Sequence, residues 1–423
     1  MIYLIHPESI YPPMGTLYLA DSLRWAGMEC ELYDLRSKFY NKLDSDHRKG
    51  EKIIVCMSVM TSPEIKEFYI LSDVIKKTYP GSVIIWGGPH PTLNAEQCIK
   101  EDYIDYVVTG YAEKTLPIII RKIMSDDQES RIIAGDMFDI DDYRPAWECI
   151  LPLSQYLFPA EHSQRPPVEK KNIFYYLHTS RGCMYNCSFC SVSKMRMGKR
   201  WTPHSFEWVQ GQIDYIKNQL EDEGKTLDGI GLWDDMFFGN MARAKKILDY
   251  LQGLDIGYLV EARADMLLAN KGRLFKYLAD TGCMQVFIGA ESFNKDTLKR
   301  INKNIDPYMY YELKVLADKY KLPTRFSLIV GFPEESGKSI KETLNFAKYI
   351  KDHSEYCSIS GPKLFTPYPG TLEYDRAIEA GFVPPATTLE WASINRHTEN
   401  YLDKFPWINK LPDDIKQRIY EEV

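Results

Sequence analysis

Three cysteines fall within one short stretch, Thr179-Ser-Arg-Gly-Cys183-Met-Tyr-Asn-Cys187-Ser-Phe-Cys190, a C-x3-C-x2-C spacing. Thiolates this close together bind a soft metal centre, either zinc or an iron-sulfur cluster. A structural zinc site asks for a fourth Cys or His, usually on a second paired spacing, and the chain has no second C-x2-C. His178 and His204 are the nearest candidates for a fourth ligand. A four-iron cube held by only three thiolates leaves one iron open, and an open iron can chelate a substrate or cosubstrate. The spacing therefore points to a catalytic cluster. The other six cysteines (Cys30, Cys56, Cys98, Cys149, Cys283 and Cys357) stand singly, mostly among apolar neighbours, and read as small buried hydrophobes.

The cysteine loop needs a frame, and the surrounding pattern supplies one. Strands are expected at Ile173 to Leu177, Gly229 to Trp233, Tyr258 to Arg263, Gln285 to Gly289, Arg325 to Val330 and Tyr356 to Leu364, with helical segments between them. A right-handed series of this kind curls into a barrel or partial barrel, with its chemistry at the C-terminal strand ends, where the cysteine loop lies. The N-terminal part alternates in the same way: Ile2 to Ile5, Glu31 to Leu35, Lys52 to Ser58, Val83 to Trp86 and Tyr106 to Thr109 as strands, with helices over 16–26, 63–78, 94–99 and 115–124. This implies a parallel sheet covered on both faces, with ligands at the loops Pro12 to Gly15, Ser58 to Ser62, Gly87 to Thr92 and Gly110 to Glu113. Small residues there let a bulky ligand approach the backbone.

Asp136 to Asp142 and Gln164-Arg-Pro-Pro167 break the rhythm and read as a linker. Lys194, Arg196, Lys199 and Arg200 form the one dense basic cluster, which reads as a solvated loop. The tail from Glu373, with Trp391, Tyr401, Phe405 and Trp407, reads as a cap or substrate-side extension. The division expected is 1–130, a linker 131–170, 171–372 and 373–423.

Composition supports an ordinary globular enzyme. The chain has 423 residues, 44% hydrophobic and 26% charged, which excludes disordered, collagen-like and coiled-coil classes. Its net charge of −7 argues against general binding to nucleic acid or anionic membranes. No apolar run approaches the roughly 20 residues of a membrane span, and no signal-peptide pattern opens the chain, so a reducing, cytoplasmic setting is expected.

The motif C-x3-C-x-Φ-C, with Phe189 as the aromatic, resembles the defining motif of the radical S-adenosylmethionine (SAM) superfamily. Further segments resemble the same branch in the same order: Leu232-Trp-Asp-Asp235, Glu261-Ala-Arg263-Ala-Asp265, Gly289-Ala-Glu291-Ser292, Gly331-Phe-Pro-Glu334-Glu335 and Pro367-Tyr-Pro-Gly-Thr371. Pro12-Pro-Met-Gly15, Gly87-Gly-Pro-His-Pro-Thr92 and Val108-Thr-Gly110-Tyr-Ala-Glu113 resemble a preceding B12-binding domain. Together the matches cover about residues 1 to 375 and identify a class B radical SAM enzyme with an N-terminal cobalamin-binding domain. The resemblance implies an α/β chain: a Rossmann-like (flavodoxin-like) B12-binding domain, then a partial (β/α)6 TIM barrel, then a C-terminal helical extension.

It also implies roles. Cys183, Cys187 and Cys190 would hold a [4Fe-4S] cluster whose fourth iron takes the SAM amino and carboxylate groups. Phe189, Asp234, Asp235, Arg263, Glu291, Ser292, Gly331 and Glu334 would surround SAM. Pro13, Met14, Gly15, Ser58, Gly87, Gly88, Thr92, Gly110 and Glu113 would line cobalamin. The D-x-H-x-x-G motif of mutase-type cobalamin domains is absent, the comparable stretch reading Asp34-Leu-Arg36-Ser-Lys-Phe39, so no protein His is expected on cobalt. The activity implied is methylation of an unactivated carbon of a small metabolite or peptide, by a 5'-deoxyadenosyl radical and methylcobalamin, with an external electron donor of the flavodoxin or ferredoxin type. No acid or base is singled out. The alternatives are a non-methylating rearrangement, dehydration, epimerisation or cyclisation on the same architecture, with cobalamin bound or with a B12-like domain that has lost it, a non-catalytic cobalamin or light-sensing module, and a zinc-stabilised interaction protein.

Overall fold

Short β-branched and apolar runs cannot bury both faces alone, so in each half of the chain they gather into a parallel sheet roofed by the intervening helices. A computed structural model describes residues 1–35, 39–127, 130–159, 172–195, 201–394 and 401–422. Arg36 to Lys38, the Gln164-to-Pro167 stretch, Arg196, Lys199 and Arg200 lie outside the described residues. The chain falls into two compact units, one of Met1–Leu151, Lys194–Lys199 and Pro384–Tyr401, the other of Pro152–Ser193, Arg200–Val383 and Leu402–Val423.

In the first unit, strands β1 (Ile2–His6), β2 (Cys30–Asp34), β3 (Ile54–Ser58), β4 (Val83–Gly87), β5 (Tyr106–Thr109) and β6 (Ile132–Ala134) form one sheet in the order β2-β1-β3-β4-β5-β6. Every ladder is parallel. Leu4, Ile54, Ile85 and Val108 pack with Leu23, Leu116 and Ile120 of the covering helices. The strand order reverses between β1 and β3, and a crevice at such a switch point is where sheets of this type take ligands. Two elements exceed the sequence pattern: the helix Tyr40–Arg48, and β6, which lies in the stretch expected to be linker. Only three residues long, β6 has too little periodicity to register.

The tail divides. Gln97 Nε2 donates to Pro385 O at 2.9 Å and Trp391 Nε1 donates to Gln97 Oε1 at 2.7 Å, so the segment after Val383 packs within the first unit. Trp407 and Phe405 are buried in the second.

The second unit holds β7 (Leu157–Pro159), β8 (Asn172–Leu177), the ribbon β9 (Ser180–Gly182) with β10 (Trp201–Pro203), then β11 (Gly229–Leu232), β12 (Gly257–Ala262), β13 (Cys283–Glu291), β14 (Thr324–Val330) and β15 (Cys357–Leu364). The curled sheet runs β15-β14-β13-β12-β11-β8-β7, its six long strands parallel and β7 antiparallel at the edge. Along β14, Phe326, Leu328 and Val330 are buried, whereas Arg325, Ser327 and Ile329 are half-buried on the opposite, concave face. This alternation leaves the inside of the half-barrel open for a ligand. Among the described residues no helix is long and apolar enough to cross a membrane.

Candidate functional site

The loop after β9 carries all three clustered cysteines, each half-buried and none in a disulfide. It is anchored at several points. At its root, the buried Asp234 carboxylate accepts the Thr179 N–H and the Thr179 hydroxyl, both at 2.6 Å, and the Ser180 hydroxyl at 2.7 Å. Asp235 accepts the Gly182 N–H at 3.0 Å. Trp201 Nε1 donates to Ser180 Oγ and to Met236 O, tying the ribbon to the same corner. Within the loop, Tyr185 lies under the Arg263 guanidinium, 3.7 Å from ring centroid to Cζ. At its far end the Ser188 hydroxyl donates to Glu373 at 2.8 Å and the Glu373 N–H donates back to Ser188 O. A metal-binding loop held this way is ordered before the metal arrives, which lowers the entropy lost on binding.

Burial pushes the Cys190 thiol up to about 12. Burial also raises Cys187, partly opposed by the positive charges of Lys303 and Arg263. Both thiols need nearby cationic charge to ionise, and bound iron supplies it. Among the described residues no three of His, Cys, Asp and Glu gather closely enough for a single ion. Three thiols spread along one loop suit a cluster, in which each takes a different iron.

Around the loop, Phe189 meets Phe332 edge-to-face at 5.7 Å, which brings the cysteine loop against the Gly331 turn. Gly331 has φ +79°, and a methyl group added there would meet Leu364 at 2.6 Å, so this turn admits only glycine. Its N–H is taken by the buried Glu335 at 2.8 Å and its carbonyl by Trp407 Nε1 at 2.8 Å. Glu334, next to it, is 74% exposed and reaches only towards Arg300. Glu291 sits at the end of β13 with φ +65° and forms an ion pair with Lys303 at 2.9 Å, the two side chains 10% and 7% exposed. The Ser292 hydroxyl is occupied by Thr343 and the Asn294 N–H. Arg263, besides covering Tyr185, pairs with Asp265 and donates to Lys303 O. Cys183, Cys187, Cys190, Phe189, Asp235, Arg263, Glu291 and Gly331 thus belong to one neighbourhood, with Asp234 beneath it.

Lys303, Glu335, Tyr185 and Glu373 are missing from the sequence reading. Lys303, just after the helix Lys295–Arg300, and Glu373, in the first turn of the helix Leu372–Glu379, are remote in sequence, and no local pattern marks them. Tyr185 and Glu335 lie inside quoted motifs, where an aromatic between two ligands and the second of two glutamates were available signals.

In the first unit, the expected ligand residues meet at the strand C-termini. A methyl group added at Gly88 would lie 3.0 Å from Val59 N and 3.1 Å from Ser58 Oγ, and one at Gly15 would lie 4.0 Å from the same oxygen. Gly88 also has φ +92°. Thr92 Oγ1 donates to Gly88 O at 2.7 Å and accepts the Gly110 N–H at 3.0 Å, so it joins the β4 and β5 loops. Gly87 approaches the Val108 carbonyl, its carbonyl accepting the Val59 N–H. Pro13 and Met14 open the helix Met14–Trp25, and Glu113 is buried at the β5 loop. His90, in the same loop as Gly88, takes a hydrogen bond with Thr61 through Nδ1, while its buried Nε2 has no partner among the described residues. Burial pushes this imidazole down to about 4, so it stays neutral. Small residues, a left-handed glycine and an unsatisfied buried nitrogen fit an edge made for a large polar ligand.

Comparison with known proteins assigns a family to each part of the chain. Residues 1–120 match the B12 binding domain model and residues 177–347 the radical SAM superfamily model. The chain is 28% identical over 407 residues to an uncharacterized methyltransferase of Pyrococcus horikoshii, covering 90% of this chain and 81% of the relative. It is 27% identical to bacteriochlorophyllide d C-8(2)-methyltransferase of Chlorobaculum tepidum, covering 84% and 74%. Among solved structures, the radical SAM methyltransferase TsrM of Kitasatospora setae, with cobalamin and a [4Fe-4S] cluster bound, matches at a TM-score of 0.65 and 16% identity, covering 91% of this chain and 76% of that one. At that identity the likeness is one of fold.

Proposed function

Because the chain is a radical SAM protein with an N-terminal B12-binding domain, we propose that it methylates an unactivated carbon of a small metabolite or peptide. One observation carries the reading: three cysteines outside any disulfide on a pre-anchored loop at the mouth of a half-barrel, in a chain whose other unit presents a glycine-lined B12-type edge. When bound, a [4Fe-4S] cluster with SAM supplies a carbon-centred radical and cobalamin the methyl group.

The residues of this chain have the positioning work. Cys183, Cys187 and Cys190 hold three irons. Phe189 and the Gly331 turn, clamped by Glu335, frame a flat adenine. Asp235 and the Glu291–Lys303 pair offer opposite charges for an amino acid headgroup. Asp234 and Ser292, whose oxygens are engaged by the protein, act as positioning residues. Ser58, Gly88, Thr92 and Gly110 cradle cobalamin. An external electron donor of the flavodoxin or ferredoxin type and a reducing, cytoplasmic setting belong to the same reading.

The test is anaerobic purification with iron, sulfide and corrinoid assayed on one sample, followed by reduction with SAM present. Expected are about four irons and one corrinoid per chain, and formation of both 5'-deoxyadenosine and S-adenosylhomocysteine. Deoxyadenosine without S-adenosylhomocysteine would refute methyl transfer and favour the non-methylating alternative. Zinc in place of iron would refute both.

A further inference from the structure

Counting across the ladders places six side chains on one transverse row of the concave sheet face. Leu177, Leu232 and Val260 are paired in register and buried on the outer face. The residue that follows each of them, His178 and Trp233 just past the ends of β8 and β11 and Glu261 within β12, continues the alternation, the Trp233 N–H still bonding Leu177 O, and therefore faces inward. Glu261 pairs with Phe287, Phe287 with Arg325, and Arg325 with Ser358. The row is thus His178, Trp233, Glu261, Phe287, Arg325 and Ser358, all half-buried.

The aromatic members of the row converge. Trp233 and Phe287 have ring centroids 6.2 Å apart across the strand that carries Glu261. Tyr176 adds a third ring, 5.6 Å from Trp233 and stacked on His178. It arrives there through a bulge: β8 advances three residues, from Phe174 to Leu177, while β11 advances two, and Tyr176 takes φ +72°. Left-handed backbone at a bulky residue costs on the order of 1–3 kcal/mol and persists where it serves a site. One step towards the C-terminal strand ends, the in-register positions are Gly289, Ser327 and Ser360. Small residues above a row of large ones leave a space with a flat aromatic floor. Beyond that space lies the Glu291–Lys303 pair, which a side chain at Gly289 would strike.

Two polar groups belong to the floor, Glu261 between the two rings and Arg325 beyond Phe287. Burial, then the negative charges of Glu291 and Asp235, push the Glu261 carboxyl up to about 7, so between the rings it can donate to or accept from a ring heteroatom. Arg325 Nε is buried without a partner among the described residues, and no carboxylate there pairs with this guanidinium. A buried guanidinium N–H left unmet is costly, and a planar carboxylate is the group its fork fits best.

Resting on the methyltransferase reading, we propose that the half-barrel floor formed by Tyr176, Trp233, Glu261, Phe287 and Arg325 binds the substrate, and that the substrate is a flat conjugated ring system bearing a carboxylate. The ring lies on Trp233 and Phe287, its carboxylate meets Arg325, and Glu261 meets a polar ring atom. Stacking on such a floor selects planarity, and Arg325 selects the anion.

The experiment measures binding without turnover. The holoenzyme is titrated, by equilibrium dialysis, with planar aromatic carboxylates graded from one ring to a tetrapyrrole, with the methyl ester of each, and with an aliphatic carboxylate of matched size. At least one aromatic acid is expected to bind saturably, its ester and the aliphatic acid at least tenfold more weakly. Arg325→Gln should cost the acid tenfold or more while leaving the ester unchanged, and Arg325→Lys should recover part of the loss. Tyr176→Gly, which removes the ring while suiting the left-handed backbone, should weaken binding of the aromatic acid and of its ester alike. Absence of saturable binding by every aromatic acid, equal binding of acid and ester by the wild-type chain, or equal binding of the aliphatic acid would overturn the proposal. A chain that binds aromatic acids but makes no S-adenosylhomocysteine keeps the floor and loses the methyltransferase reading. One that makes it but binds none loses the floor alone.

Discussion

Glu261→Gln should make the second unit more stable at pH 8 and leave it unchanged near pH 4.5. In the folded chain, burial first and then Glu291 and Asp235 hold this carboxyl at about 7, against an ordinary 4.5, with Lys303 opposing them. A value raised in the folded state means that the native protein binds the proton more tightly. The stabilisation is therefore complete below about pH 4.5 and is lost as pH rises through about 7. At 1.36 kcal/mol per pH unit, the rise from 4.5 to about 7 corresponds to about 3 kcal/mol, an upper bound because the half-barrel interior is open to water on one side. Glutamine mimics the neutral carboxyl and has nothing to lose. Urea unfolding of both chains, loaded identically, at steps from pH 4.5 to 8.5 gives the difference directly. It should be near zero at the acid end, open between pH 4.5 and 7, and level off above. Glu291→Gln in the wild-type background should move that window down, because it removes one raising charge and releases Lys303. A difference that stays constant with pH, or a wild-type chain more stable than the variant at pH 8, refutes the account of Glu261 as a buried, proton-holding carboxyl.

Other positions separate structure from chemistry. Asp234→Ala leaves the Thr179 N–H and two hydroxyls at the root of the cysteine loop without their acceptor, and should cost about 3–5 kcal/mol in urea unfolding, whereas Asn, which keeps an acceptor for the N–H, should cost about 1–2 kcal/mol. Equal losses would mean that the three bonds do not act through the carboxylate. Gly88→Ala should lower both the stability of the first unit and its corrinoid content, since the new methyl meets Val59 N at 3.0 Å; Gly27→Ala, with similar φ and nothing within 4 Å, should cost only the backbone strain of about 1 kcal/mol and keep the corrinoid. Cys187→Ala should abolish the iron and sulfide content while leaving the corrinoid of the first unit intact, as read by absorbance of the same sample.

Much of the fold was legible because short apolar strands followed by helices leave a strong periodic trace. The first five strands of the N-terminal sheet and all six parallel strands of the half-barrel fall close to their expected places. The misses were the short strands β6 and β7, three residues each, which owe their form to the ladder beside them, and the helix Tyr40–Arg48, which buries only Leu43 and Asp46 and so carries little apolar periodicity. The tail was hidden for another reason. Its aromatics show in sequence as a cluster, but whether Trp391 and Trp407 pack with the same neighbours depends on which surface each segment meets.

The sequence by itself determined the chemistry of the cluster loop, because ligand type and spacing are local properties of a few adjacent residues, and it determined the order of the two sheets, because strand and helix periods are local as well. Only the tertiary structure decided what the polar residues near that loop do. Asp234 and Asp235 are neighbours in the chain, yet one is consumed beneath the loop and the other lies exposed beside it. Glu334 points outward while Glu335 clamps the Gly331 turn. Lys303 becomes the partner of Glu291 across twelve residues. The inward row from His178 to Ser358 likewise exists only once six strands are in register. Side-chain direction follows from the pleat, the bulge at Tyr176 and the helix termini, and these are set by packing between segments far apart in the chain.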